Sequence, residues 1–197
     1  MNTTLHIKNM CCDRCNIEVR QIFVDVGLAP LTVQIGEVQV TKILSKEETK
    51  KLATALELKG FSLALSEEEK LVVNIQSLLA SYLHSFLLAG AKSFKISTYL
   101  SKSLYKSYSH LSKLFKHATG VTIEKYFIRL KIEKAKEILI LGEMDIADIA
   151  WLLGYSSSQN FSTQFKKETG KSPVEYKKNP KPERIHLSKL LTHNFKQ

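Results

Sequence analysis

A stretch of this chain occurs twice. Ser112-Lys-Leu-Phe-Lys-His-Ala-Thr-Gly120 returns 50 residues later as Ser162-Thr-Gln-Phe-Lys-Lys-Glu-Thr-Gly170, and Tyr126 and Tyr176 extend the match at the same offset. A duplicated stretch must build the same local structure twice, which constrains the fold more than any composition does. Each copy follows a short amphipathic segment and a turn, so the predicted unit is a helix-turn-helix closed by a cap. From Lys95 onward no segment reads as a strand. Helices are interrupted at Tyr105–Ser107, Gly120, Gly142, Gly154 and Gly170.

The second copy shows why these residue types are needed. Asp145 is placed to cap a helix in which Ile146, Ile149 and Leu153 are apolar at helical spacing. Ala150 falls where a crossing helix has to come close, and Gly154 supplies a left-handed turn residue. The following helix starts near Ser157 and buries Phe161 and Phe165. Its outward positions are Ser158, Gln159, Ser162, Thr163 and Lys166. Short polar side chains of this kind read base edges in a major groove, and flanking lysines hold phosphates.

Charge is distributed to match. Residues 1–85 hold 9 Lys/Arg against 10 Asp/Glu, a balance of −1, whereas residues 86–197 hold 20 against 9, a balance of +11, so the second half carries all of the chain's net +10. A basic face can be merely solvated. A duplicated helix-turn-helix inside it points instead to a polyanionic partner.

Residues 95–178 resemble the AraC/XylS family of bacterial transcription regulators. The motif that carries the resemblance is Asp148-Ile-Ala-Trp-Leu-Leu-Gly-Tyr-Ser156, followed by Phe161-Ser-x-x-Phe-Lys-Lys-x-Thr-Gly-x-Ser-Pro-x-x-Tyr176. The resemblance implies a rigid helix over Thr122–Leu141 joining the two units, with Arg129 and Ala135 on its packing side. It implies a first unit from Ile96 to Thr119 whose recognition helix, from about Tyr108, presents Ser109, Ser112, Lys113 and Lys116. Double-stranded DNA is the implied partner, and RNA polymerase a second one. The pattern is broken where a turn glycine is expected after Leu104. Tyr105 stands there, which predicts a distorted turn and a weaker groove contact.

The first 65 residues read differently. Strands are predicted at Thr4 to Lys8, Leu31 to Ile35, Glu37 to Val40 and Phe61 to Leu65, with a hairpin around Gly36. Helices are predicted from Cys15 to Val26, with Ile17, Val19, Ile22, Phe23 and Val26 apolar, and from the Ser45-Lys-Glu-Glu48 capping box to Leu58. The order βαββαβ fits a split βαβ sandwich. All three cysteines lie in Met10-Cys-Cys-Asp-Arg-Cys15, between the first strand and the first helix. Thiolates at C-x-x-C spacing pinch one soft ion, and a helix N-terminus lowers their pKa. Cys12 and Cys15 are the candidate ligands. Cu(I) suits two sulfurs, and Zn(II) would require more donors, with Cys11 the nearest.

This half resembles the heavy-metal-associated domain, a ferredoxin-like module of copper chaperones and metal-transport ATPases. Met10, Cys12, Cys15 and Gly60-Phe61 carry the resemblance. Asn9 in place of a glycine, and the extra Cys11, depart from it. Three chemistries fit the cysteines: soft-metal binding, a thiol redox switch, or a retained fold whose cysteines bind nothing.

Ser66-Glu-Glu-Glu69 is a second capping box opening a helix to about Leu88, where Leu71, Ile75, Leu78 and Tyr82 could form a short dimer seam or pack within the chain. The expected organisation is α+β. A ferredoxin-like domain (1–65) is followed by a connecting helix and linker (66–91), an all-α double helix-turn-helix domain (92–178) and a basic tail (179–197). No partnered catalytic nucleophile is visible, and no secretory signal or good membrane span, so a cytoplasmic non-enzyme is expected. Two function classes follow: a DNA-binding transcription regulator gated by a metal or thiol signal, or a copper-chaperone-like protein with a non-specific basic docking domain.

Overall fold

The computed structural model describes residues 2–10, 13–89 and 95–179. Cys11, Cys12, the Gly90-Ala91 junction and the basic tail beyond Asn179 lie outside them. The N-terminal half comprises β1 (Thr3–Lys8), α1 (Asp13–Asp25), β2 (Pro30–Gln34), β3 (Glu37–Val40), α2 (Lys46–Leu58) and β4 (Ser62–Leu63). The four strands form one sheet in the order β2-β3-β1-β4, every neighbouring pair antiparallel. Val19, Ile22 and Phe23 of α1 and Leu52 and Leu56 of α2 are buried in one cluster with Ile7, Val38 and Val40 of the sheet.

Three details differ from the sequence expectation. Ile17 is 70% exposed, not part of the apolar side of α1. Two helical positions are about 200° apart, so Ile17 and Val19 cannot share a face. Leu31 is also exposed, because a register shift between Pro30 and Thr32 breaks the alternation of β2. The last strand is two residues long rather than five. Ala64 N–H still donates to the His6 carbonyl at 2.8 Å, but the Glu69 carboxylate takes the next two amides, Leu65 N–H at 2.8 Å and Ser66 N–H at 3.2 Å. The capping box of the following helix thus ends the strand.

That helix, α3 (Glu67–Ala89), is long and apolar enough to cross a bilayer by length and composition. One side of it is used internally. Val72, Ile75, Leu79 and Leu83 are buried in one core with Leu100, Leu111, Phe115, Tyr126 and Leu130 of the second half. It also packs on β1, where Lys8 Nζ lies 2.6 Å from the Glu69 carboxylate.

The second half comprises α4 (Ile96–Leu104), α5 (Tyr108–Thr119), α6 (Ile123–Leu141), α7 (Ile146–Leu152), α8 (Ser158–Thr169) and α9 (Pro173–Lys178). The repeat is a repeat of hydrogen bonds. Ser107 and Ser157 accept from the amides of His110 and Asn160 to open α5 and α8. Thr119 and Thr169 hydroxyls donate to the Phe115 and Phe165 carbonyls and accept from the amides of Val121 and Lys171. Gly120 and Gly170 then take left-handed conformations, at φ 74° and 77°. Phe115 meets Tyr126 edge-on with centroids 5.4 Å apart, and Phe165 meets Tyr176 at 5.6 Å. Threonine, glycine, phenylalanine and tyrosine recur because each closes the same turn or core contact.

Candidate nucleic-acid interface

The long helix α6 spaces the two units. Arg129 and Ala135 are buried on it, as the family resemblance implies, and the Arg129 Nε lies 3.5 Å from the Glu168 carboxylate on α8. This buried pair fixes how α8 sits on α6. Lys131, two residues on, donates from Nζ to the Leu153 carbonyl at 2.7 Å and lies 4.3 Å above the Tyr155 ring. Burial pushes its pKa down to about 8. Burial likewise raises the Tyr155 phenol to about 12, with a further push from Glu168.

On α8, Phe161 and Phe165 are fully buried, while Ser158, Gln159, Thr163 and Lys166 are exposed and Ser162 is half-buried. These five fall within about 140° of the helix surface. On α5, Leu111 and Phe115 are buried, while Ser109, Lys113 and Lys116 are exposed and Ser112 is half-buried. These four span about 100°. The structure therefore gathers each predicted set onto one outward arc of its helix. Under the repeat, Ser109, Ser112, Lys113 and Lys116 correspond to Gln159, Ser162, Thr163 and Lys166.

The fifth position is where the copies diverge. Ser158 is exposed, but its counterpart Tyr108 is half-buried and hydrogen-bonds through its hydroxyl to Glu124 at the start of α6. Burial raises the Tyr108 pKa, and the bond to the Glu124 carboxylate adds to it. Sequence reasoning also passed over exposed His110 and His117 on α5 and Lys167 on α8. Asn160, missed too, bonds to Ser156 at 2.7 Å, which orders the residues just before α8.

Two expectations about the turns are corrected. Asp145 occupies the N-cap position of α7, yet its side chain makes no capping bond; only its carbonyl is engaged, by Ile149 N–H at 3.0 Å. The turn after α4 is not distorted by the missing glycine. Tyr105 itself adopts the left-handed conformation (φ 52°, ψ 37°) with its side chain 95% exposed. A tyrosine can be held there at a cost of roughly 1–2 kcal/mol, so the turn type survives the substitution. Gly154 plays the same part after α7 at φ 70°.

A family model described as a helix-turn-helix domain matches residues 100–179, from the middle of α4 to the residue after α9. The transcriptional activator RhaS of Escherichia coli is 41% identical over 63 residues, 32% of this chain and 23% of that protein. Residues 100–179 are an AraC-type helix-turn-helix domain. The bifunctional transcriptional activator/DNA repair enzyme AdaA of Bacillus subtilis is 32% identical over 77 residues, 39% of this chain and 36% of AdaA. The chain thus spans only about a quarter to a third of these curated relatives. Among solved structures, the C-terminal domain of AraT, a response regulator from Geobacillus stearothermophilus, aligns with a TM-score of 0.48 at 25% identity, covering 61% of this chain and 93% of that one. Both recognition-helix candidates, α5 and α8, lie inside the AraC-type domain, and α3 and the sheet lie outside it.

Proposed function

We propose that this chain is a cytoplasmic, sequence-specific DNA-binding transcription regulator, with α5 and α8 entering successive major-groove segments. The observation that carries the reading is the duplicated arc of polar and basic side chains on two identically capped helices. Those helices are held apart by one stiff helix. Base-edge contacts fall to Gln159, Ser162 and Thr163 on α8 and to Ser109 and Ser112 on α5. Lys113, Lys116 and Lys166 hold phosphates. Two units on one chain predict an asymmetric site spanning roughly two turns, with groove entries about 34 Å apart. Selection of random duplexes by the purified chain tests this. One enriched asymmetric motif is expected, and enrichment of none would reject the reading.

The N-terminal half is, in this proposal, a ferredoxin-like, heavy-metal-associated-type sensor that binds a soft ion such as Cu(I) through Cys12 and Cys15. The βαββαβ order and the strand order β2-β3-β1-β4 support it. So does Asn9, which stands where the resemblance expects glycine. Asn9 is left-handed (φ 74°), a conformation asparagine tolerates better than most residues, and its side chain donates to the Gly60 carbonyl at 2.9 Å. This ties the segment before the cysteines to Gly60-Phe61. Met10 is 2% exposed, and its sulfur accepts from the Gly36 amide at 3.4 Å. Its thioether is therefore committed to the core, which leaves the cysteines as soft donors. Cys15 is half-buried in the first turn of α1. A bound soft ion would supply a cross-link between Cys12 and Cys15 of α1. Titration with Cu(I) against a competing chelator should give stoichiometric binding that Cys12→Ser and Cys15→Ser each abolish. Equal binding by the variants would remove the metal from the proposal.

A further inference from the structure

The two proposed activities are connected by one helix. α3 meets the N-terminal hairpin on one side: an added Cβ on Gly36 would collide with Ser77 Oγ and lie 2.8 Å from Val73 Cγ1. The Ser77 hydroxyl donates to the Ile35 carbonyl in the same turn. Gly36 is also the residue whose amide engages Met10, immediately before the cysteines, and whose carbonyl accepts from Ile7 N–H at 2.9 Å. Further along α3, the Phe86 ring presses on Gly154, where an added Cβ would lie 2.5 Å from Phe86 Cζ. Gly154 is the turn between α7 and α8, braced on its other flank by Lys131 at the Leu153 carbonyl.

Ser77 and Phe86 are nine residues apart, which on a helix is about 14 Å of rise and about 180° of rotation. The hairpin and the turn therefore press on opposite sides of one continuous helix. Both contacts are made at glycines with positive φ, where the backbone approaches a side chain with no Cβ between them. Packed interfaces of this kind shift between discrete arrangements rather than deform smoothly. The turn of the first unit, at Tyr105, has its side chain in solvent instead.

We infer that α3 transmits the state of the β2–β3 hairpin, with its Gly36–Met10 contact, to the α7–α8 turn through Phe86, so that a signal in the N-terminal domain acts on the second recognition helix. The inference rests on the proposed DNA-binding role of α8, but it requires no particular effector. A double-mutant cycle on the full-length chain tests it, with Ser77→Ala, Phe86→Ala and the pair. The readouts are affinity for the selected duplex and hydrogen exchange at the amides of residues 154–157. Ser77→Ala should change affinity about threefold to tenfold and alter exchange at the turn in an otherwise wild-type chain, and have little effect on either once Phe86 is alanine. Effects that multiply independently, or exchange changes confined to residues 33–37, would overturn it. Selection of no duplex by the wild-type chain would instead fail the DNA-binding reading first, and the inference with it. A chain that selects its duplex normally but shows an independent cycle fails the inference alone.

Discussion

At the residue scale the two turns make opposite predictions. Tyr105 holds a left-handed conformation with its ring in solvent, so glycine there relieves strain and loses no packing. Relief of roughly 1–2 kcal/mol is offset by the greater freedom of glycine in the unfolded chain, about 0.4–1 kcal/mol. Tyr105→Gly should raise Tm by about 1–4 °C in a thermal melt. Gly154→Ala should lower it, because the new side chain meets both a positive φ and the Phe86 ring; a loss of about 2–4 kcal/mol is expected. The helix faces predict a second contrast. Thr163→Arg should change which base is preferred at one position, while Lys166→Ala should weaken all duplexes by a similar factor and reduce the salt slope by about one. Binding to a panel of single-base variants separates the two, and matching losses of specificity would refute the assignment of roles. The positions of these side chains were legible from the sequence because capping and helical period are local. The identity of the residue that touches Gly154 was not. Phe86 is 68 positions away, and an apolar period tells which face is buried but never against what.

At the scale of elements, α3 begins where β4 ends, and Glu69 makes both events happen. Its carboxylate accepts from Lys8 and from the amides of Leu65 and Ser66, which hold its pKa down to about 2. A carboxyl depressed in the folded state stabilises fully above its ordinary value near 4.5, and this contribution is lost as pH falls toward about 2. Glu69→Gln should therefore cost stability at neutral pH, about 0.5–1 kcal/mol given how exposed the ion pair is, and progressively less between pH 4.5 and 2. Melts of both proteins across that range would show the gap narrowing, and a gap independent of pH would contradict this account. The capping box itself was readable in Ser66-Glu-Glu-Glu69. Its consequence for β4 was not, because the same carboxylate also captures the amide that would have extended the strand. Ile17 teaches the complementary lesson: a run of apolar residues overstates a helix face unless each is placed at its own angle.

At the scale of the whole molecule, charge and architecture make a joint claim. The basic excess belongs to the half that carries the AraC-type domain, and its two candidate reading helices are joined rigidly by α6. A chain that docks both units engages on the order of six to eight phosphates, so log K should fall against log salt with a slope near −5 to −7. Engagement of one unit would roughly halve that slope. The slope therefore reports how many units are in the groove. Measured by fluorescence anisotropy on the selected duplex, it should be steep for the full site and shallow when the duplex is shortened so that the half-site under α8 is removed. Protection of only one half-site, with a slope near −3, would mean that the Tyr108–Glu124 contact has left α5 a scaffold and α8 the only reader. A palindromic site would place two copies of the chain on the DNA, and would turn attention to the face of α3 that carries Leu71 and Leu78, both only half-buried within one chain.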